Sequence, residues 1–138
     1  MGARGVTVPY VMDSEWTTQG ASGANAPKLM IVDDDPEVRL IVTEFLRDFG
    51  YQVIQASGAA EALELLAETK DLRMIITDIR MPDMSGIELA ELATQRRRDL
   101  KIILISGYFV SQHLGRRCLR KPFRMRELEA AVRAELQA

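Results

Sequence analysis

The sequence predicts an α/β domain: a parallel sheet with helices on both faces. Two observations carry this. Short apolar runs such as Leu29-Met30-Ile31-Val32, Met74-Ile75-Ile76 and Ile102-Ile103-Leu104-Ile105 are bounded by turn chemistry, as strands buried on both faces require. Segments with apolar residues at helical spacing separate these runs, and strands that alternate with helices form a parallel sheet. Right-handed crossovers then restrict the topology. At 138 residues the chain has room for one domain.

Composition excludes several classes. With 47% hydrophobic and 28% charged residues the chain reads as soluble and globular. A formal net charge of -2 gives no electrostatic case for direct nucleic-acid or membrane binding. The single cysteine, Cys118, excludes an internal disulfide and is compatible with a cytoplasmic setting. No apolar run approaches the ~18 residues of a membrane span, and the N-terminus lacks the apolar core of a secretory signal.

Residues 1–27, with Gly2, Gly5, Gly20, Gly23, Pro9, Pro27 and the segment Thr17-Thr18-Gln19-Gly20-Ala21-Ser22-Gly23, read as a flexible leader before a domain over 28–138. Within it, Val6–Met12 is more apolar and suited to lie on the domain surface or a neighbouring chain. The first strand ends in Asp33-Asp34-Asp35, and Asp35 caps a helix that has Pro36 at its first position. Val38, Ile41, Val42, Phe45, Leu46 and Phe49 form its inner face, and Gly50 stops it. Tyr51–Ala56 is a second strand; Gln52 and Gln55 suggest a place near an edge.

Ser57-Gly58 opens a second helix with Ala59, Ala62, Leu63, Leu66 and Ala67 inward. Arg73–Asp78 is the third strand, and a third helix over 86–97 turns Ile87, Ala90 and Ala93 or Thr94 inward. The fourth strand ends at Ser106-Gly107, and a short fifth, Cys118-Leu119-Arg120, ends at Lys121-Pro122-Phe123. Met125, Leu128, Ala131, Val132 and Leu136 mark a final helix. The crossover over 106–116 has about 11 residues, close to the ~10–12 needed for such a connection, so one or two turns or an irregular loop are expected around 109–114.

The stretch Met74–Pro82 organises the chemistry. Asp78 stands where a buried strand leaves the sheet, the edge at which open parallel sheets bind ligands. Asp33, Asp34, Ser106 and Lys121 fall at the same edge. Asp35 suffices for capping, so two further adjacent acids need another role. Three crowded carboxylates repel one another, which raises their pKa values or destabilises the fold. A hard divalent cation such as Mg²⁺ relieves this. An acidic cluster with a metal, a lysine and a hydroxyl suits transfer of a phosphoryl group to a carboxylate.

Ile31-Val32-Asp33-Asp34-Asp35-Pro36, Thr77-Asp78-Ile79-Arg80-Met81-Pro82-Asp83-Met84-Ser85-Gly86, Ile105-Ser106-Gly107-Tyr108 and Arg120-Lys121-Pro122-Phe123 occur in that order. From Lys28 to Ala138 the chain resembles the receiver domain of two-component response regulators. The resemblance implies a flavodoxin-like fold with strand order 2-1-3-4-5. It implies that Asp78 accepts phosphate from a phosphohistidine on a histidine kinase or histidine phosphotransfer protein. Asp34 would bind Mg²⁺ directly and Asp33 mainly through water, with Asp78 and the backbone carbonyl of Arg80 as the other protein ligands. Ser106 would bond the phosphoryl group and Lys121 pair with it. Lys121-Pro122 is expected to be cis.

Two departures stand out: the short fourth crossover, and Cys118 where the family often has Tyr or Phe. Both touch the surface many receivers use for output, so signalling through another face, or onward phosphate transfer, is expected. The last helix reads as core; such helices also form dimers in this family, which leaves a homodimer open. Arg96-Arg97-Arg98 reads as cations at a helix C-terminus, Arg116, Arg117, Arg120, Arg124 and Arg126 as a second basic region, and His113 as a surface residue. Two rival readings are a degenerate receiver acting as a phosphorylation-independent binding module, and an aspartyl-phosphate phosphatase. The phosphatase would need a second acid two residues after the nucleophile, where this chain has Arg80. The expectation is therefore a phosphoacceptor with self-phosphorylation and slow phosphate loss, not a metabolic enzyme.

Overall fold

The computed structural model describes residues 10–11, 26–107 and 115–138. Strands β1 (Lys28–Val32), β2 (Gln52–Ala56), β3 (Leu72–Asp78), β4 (Lys101–Ser106) and β5 (Arg117–Arg120) form one sheet in the order β2-β1-β3-β4-β5. Every pairing is parallel, as expected from the alternation of elements. Helices α1 (Pro36–Phe49), α2 (Ala59–Glu68), α3 (Gly86–Arg96) and α4 (Met125–Gln137) cover both faces. The turns expected around 109–114 lie outside the described residues.

The apolar strands serve two cores at once, because successive side chains point to opposite faces. Leu29, Ile31, Met74, Ile76, Ile103 and Ile105 pack with α1 and α4. Met30, Val32, Ile75, Ile102 and Leu104 pack with α2 and α3. Leu46 and Leu128 are fully buried on the first face; truncating either to Ala should cost about 2–5 kcal/mol. Edge strand β2 is half-buried at Gln52 and Gln55, as its composition suggested.

Helix ends follow local chemistry. The Asp35 carboxylate accepts from the N–H groups of Glu37 (3.0 Å) and Val38 (3.4 Å), with Pro36 opening α1. Gly50 ends it at φ 119°, a left-handed conformation in which glycine avoids the Cβ penalty. Ser85 and Glu88 form a reciprocal capping box at α3. Helix α2 has no side-chain cap of its own. Asp83 supplies one from the β3–α3 loop, accepting from Ala60 N–H (3.0 Å) and Ala59 N–H (3.4 Å). These backbone donors hold its carboxyl below the usual range.

Several details differ from expectation. Ala67, expected inward, is exposed in the last turn of α2, while Leu89 of α3 is fully buried between Ile87 and Ala93. Gln52 donates from its backbone to the Pro27 carbonyl (3.0 Å) and from its side chain to that of Ala26 (2.7 Å), which ties these two residues to β2. Within the expected leader, Tyr10–Val11 pairs in parallel with Phe123–Arg124, in agreement with the expectation that the apolar 6–12 segment lies against the domain. Arg97 is not only a helix-end cation: its guanidinium bonds the carbonyls of Leu66 (2.8 Å) and Leu72 (3.1 Å), joining α2 to β3. Glu129 is buried on α4, accepting from the Tyr51 hydroxyl (3.2 Å) and paired with Arg133 (3.1 Å). Burial raises the Glu129 carboxyl, and burial beside Glu129 pushes Tyr51 up to about 12.

Because the cap of α2 comes from a distant loop, Asp83→Ala should lower stability by about 1 kcal/mol in thermal or urea denaturation, and Asp83→Asn should retain most of it.

Candidate functional site

Strand register places the acids. Val32 is level with Thr77, so Asp33, one residue on, comes beside Asp78 at the same sheet edge. Asp78 is level with Ile105, and Ser106 is level with Arg120, so Ser106 and Lys121 follow one step beyond. The Lys121 N–H donates to the Ser106 carbonyl (2.8 Å), and Lys121-Pro122 is cis, as expected. Strand order reverses between β1 and β3, the switch point at which such sheets open a crevice.

One carboxylate oxygen from each of Asp33, Asp34 and Asp78 lies within 4.8 Å of the other two. Asp33 is buried, Asp78 half-buried and Asp34 exposed. The Lys121 ammonium stands 3.4 Å from both Asp78 carboxylate oxygens. Burial, above all, pushes the Asp33 carboxyl up to about 6, and Asp78 adds to this; the Asp35 N–H on Asp33 Oδ1 (2.9 Å) and the Lys121 charge oppose it. Burial also raises Asp78, against the pull of Lys121. One lysine therefore leaves the negative charge of the cluster under-compensated. Three converging hard oxygen donors with surplus negative charge fit a Mg²⁺ ion.

Sequence reasoning brought Asp33, Asp34, Asp78, Ser106 and Lys121 to one edge, and the fold does so. Ser106 is buried at the end of β4. Arg80 is exposed in the loop after β3, where with Asp34, Ile79, Met81, Pro82 and Ser85 it lines an open cleft of about 510 Å³. The support of the site was less visible. Buried Thr77 donates its hydroxyl to the Asp78 carbonyl (2.9 Å). Gly86 N–H donates to the Ile79 carbonyl (2.8 Å), and a Cβ at Gly86 would collide with the Asp78 carbonyl oxygen. Glycine there lets α3 start directly behind the acid. Arg39 of α1 donates to the Asp33 carbonyl at 2.7 Å. Only the quoted motif around Gly86 hinted at any of these.

A parallel sheet of order β2-β1-β3-β4-β5 with an acidic, lysine-paired crevice at its switch point places the chain among the doubly wound α/β proteins that bind ligands at that crevice. The model of the response regulator receiver domain matches residues 29–133. The response regulator receiver protein CpdR of Brucella abortus is 34% identical over 108 residues, covering 73% of this chain and 89% of that protein. The receiver domain from the hybrid histidine kinase CckA superposes with a TM-score of 0.72 at 30% identity, covering 80% of this chain and 99% of that one. The response regulator TrrA of Thermotoga maritima, solved in complex with Mg(2+)-BeF, gives 0.71 at 30% identity, covering 78% and 97%. The chain belongs to the response regulator receiver domain family of two-component signal transduction.

The raised Asp33 carboxyl has a consequence for stability. Its folded value exceeds its unfolded one, so its contribution is fully present below about pH 4 and is lost as pH rises through about 6. In metal-free protein, Asp33→Asn should therefore raise stability at pH 7.5 by on the order of 1–2 kcal/mol, and the gain should vanish near pH 4. Thermal denaturation across that range checks it.

Proposed function

We propose that Asp78 accepts a phosphoryl group from a phosphohistidine on a histidine kinase or histidine phosphotransfer protein, in a Mg²⁺-dependent reaction, and that this modification switches partner binding. The convergence of three carboxylates and Lys121 at one crevice carries the reading. An Asp78 carboxylate oxygen attacks phosphorus in line; the new O–P bond forms as the P–N bond of the donor breaks, and the imidazole leaves with the bonding pair. The donor approaches from the open side, where Asp34 and the loop over 79–85 border the cleft. Lys121 starts within reach of both Asp78 oxygens and is placed to follow the charge onto the phosphoryl oxygens. The Ser106 hydroxyl is assigned to a phosphoryl oxygen.

Asp33, Asp34, Asp78 and the Arg80 carbonyl would hold Mg²⁺, which when bound supplies neutralisation of the phosphoryl oxygens. That ion and the reaction suit the chemistry of the donor set, and TrrA was solved with Mg(2+)-BeF. CckA, whose receiver shares this fold, is a hybrid histidine kinase, which supports a kinase or phosphotransfer partner. The likeness leaves the degenerate-receiver alternative without a favouring observation. Arg80 in place of a second acid disfavours the phosphatase, so we assign the chain acceptor chemistry and no metabolic activity.

We place its work in the cytoplasm, where the kinase partner would act; no helix among the described residues is long and apolar enough to cross a membrane. No nucleic-acid role is assigned: Arg97 bonds two carbonyls, Arg116 bonds Thr94 (3.2 Å), and Arg117 pairs with Glu135 (2.9 Å). We include a second copy of the chain among the proposed output partners.

With an acyl-phosphate donor and Mg²⁺, the wild-type protein should take up one acid-labile phosphate. Asp78→Asn should take up none, and Lys121→Ala should keep some labelling while losing the binding response. Acid-labile labelling of Asp78→Asn would reject the nucleophile.

A further inference from the structure

We propose that Arg39 is a positioning residue that locks the β1–α1 turn so that Asp33 and Asp34 present their carboxylates to Asp78. This rests on the reading of the site given above and extends it to a residue outside the acidic cluster.

Asp33 is tied at three points. Its N–H donates to the Ala56 carbonyl (3.2 Å), its Oδ1 accepts from Asp35 N–H (2.9 Å), and its carbonyl accepts from Arg39 Nη1 at 2.7 Å. The third is a short charge-assisted bond, the strong kind. Arg39 also donates from Nε to the Gln55 side-chain oxygen at 3.1 Å. One of the three ties thus ends on β2 at Ala56, and a second reaches β2 at Gln55 through Arg39. Strand β2 sends no residue into the acidic cluster, yet it sets where the cluster's first acid sits. The Glu61 carboxylate, fixed by the Ser57 N–H (2.7 Å) and hydroxyl (2.9 Å), lies near enough to interact electrostatically with Arg39.

Arginine is the residue this bridge needs. Its rigid fork serves acceptors on two elements at once, whereas a lysine ammonium offers a point charge on a flexible stem. The two effects of removing Arg39 have opposite signs for cation binding. Deleting a positive charge near the cluster favours a cation. Releasing the Asp33 carbonyl lets two mutually repelling acids drift apart and disfavours it. The bond length and its place on the backbone of the acid make release the larger effect.

The test compares wild type, Arg39→Ala, Arg39→Lys and, as a control for fold damage, Arg97→Ala. Mg²⁺ is titrated calorimetrically, and amide hydrogen exchange at Asp35 is measured in metal-free protein. Both Arg39 variants should bind Mg²⁺ about tenfold more weakly and exchange the Asp35 amide about tenfold faster. Arg97→Ala should lower the melting temperature and leave Mg²⁺ affinity within about twofold. Equal or tighter Mg²⁺ binding by Arg39→Ala, full retention by Arg39→Lys, or unchanged Asp35 exchange would each overturn the assignment. Absence of Mg²⁺ binding by wild type would sink the functional reading instead, and Asp35 exchange would then decide alone whether Arg39 holds the turn.

Discussion

Like charges held together at the end of a sheet are the constraint around which this domain is built. Asp33, Asp34 and Asp78 reach one another within 4.8 Å, and burial raises the carboxyls of Asp33 and Asp78 from their ordinary values. Such an arrangement does not stabilise a fold. It persists because the surrounding structure over-determines it: a register that levels Val32 with Thr77, a carbonyl held by Arg39, and a helix that starts against the Asp78 backbone because position 86 has no Cβ. The strands that end at the crevice are held by two cores of buried apolar side chains.

The elements supporting the site are shared among its parts. The loop that follows Asp78 also carries Asp83, which caps α2, and Ser85, which caps α3. A movement of that loop would therefore be felt at two helix N-termini as well as at the acid. Lys121 lies between the end of β5 and Phe123, which is buried in the α1–α4 core and paired through its backbone with Tyr10. The residues of the site are thus few, but the strands that carry them are continuous with packing on both faces of the sheet.

Much of this was legible in the amino acids. Runs such as Ile102–Ile105 can satisfy two cores only as central parallel strands, and their polar endings mark one edge, so the fold and the five residues gathered at that edge follow from pattern and punctuation. Asp35-Pro36 and Gly50 likewise announce the bounds of α1. What could not be read are bonds between elements distant in the chain. Nothing near Gly58 says that its helix borrows a cap from Asp83, and nothing in the triple arginine says that Arg97 will turn inward to two carbonyls. The burial of Glu129 is likewise unannounced: Arg133 stands at the i,i+4 spacing of a helical pair, but the Tyr51 hydroxyl comes from a part of the chain that local spacing does not bring near. The pattern of α3 points Ile87, Ala90 and Ala93 or Thr94 inward and leaves out the fully buried Leu89, since short alanine-rich helices define the phase of a helical face loosely.

The central claim is that these acids and Lys121 form a cation-dependent acceptor at Asp78. Fluorine NMR of the protein with beryllofluoride tests it most directly, because the bound adduct stands in for a phosphoryl group on the carboxylate. The account predicts one bound species per chain that requires Mg²⁺ and disappears on chelation. A spectrum in which no bound fluorine appears with Mg²⁺ present, or in which the same signal persists without the metal, would contradict it.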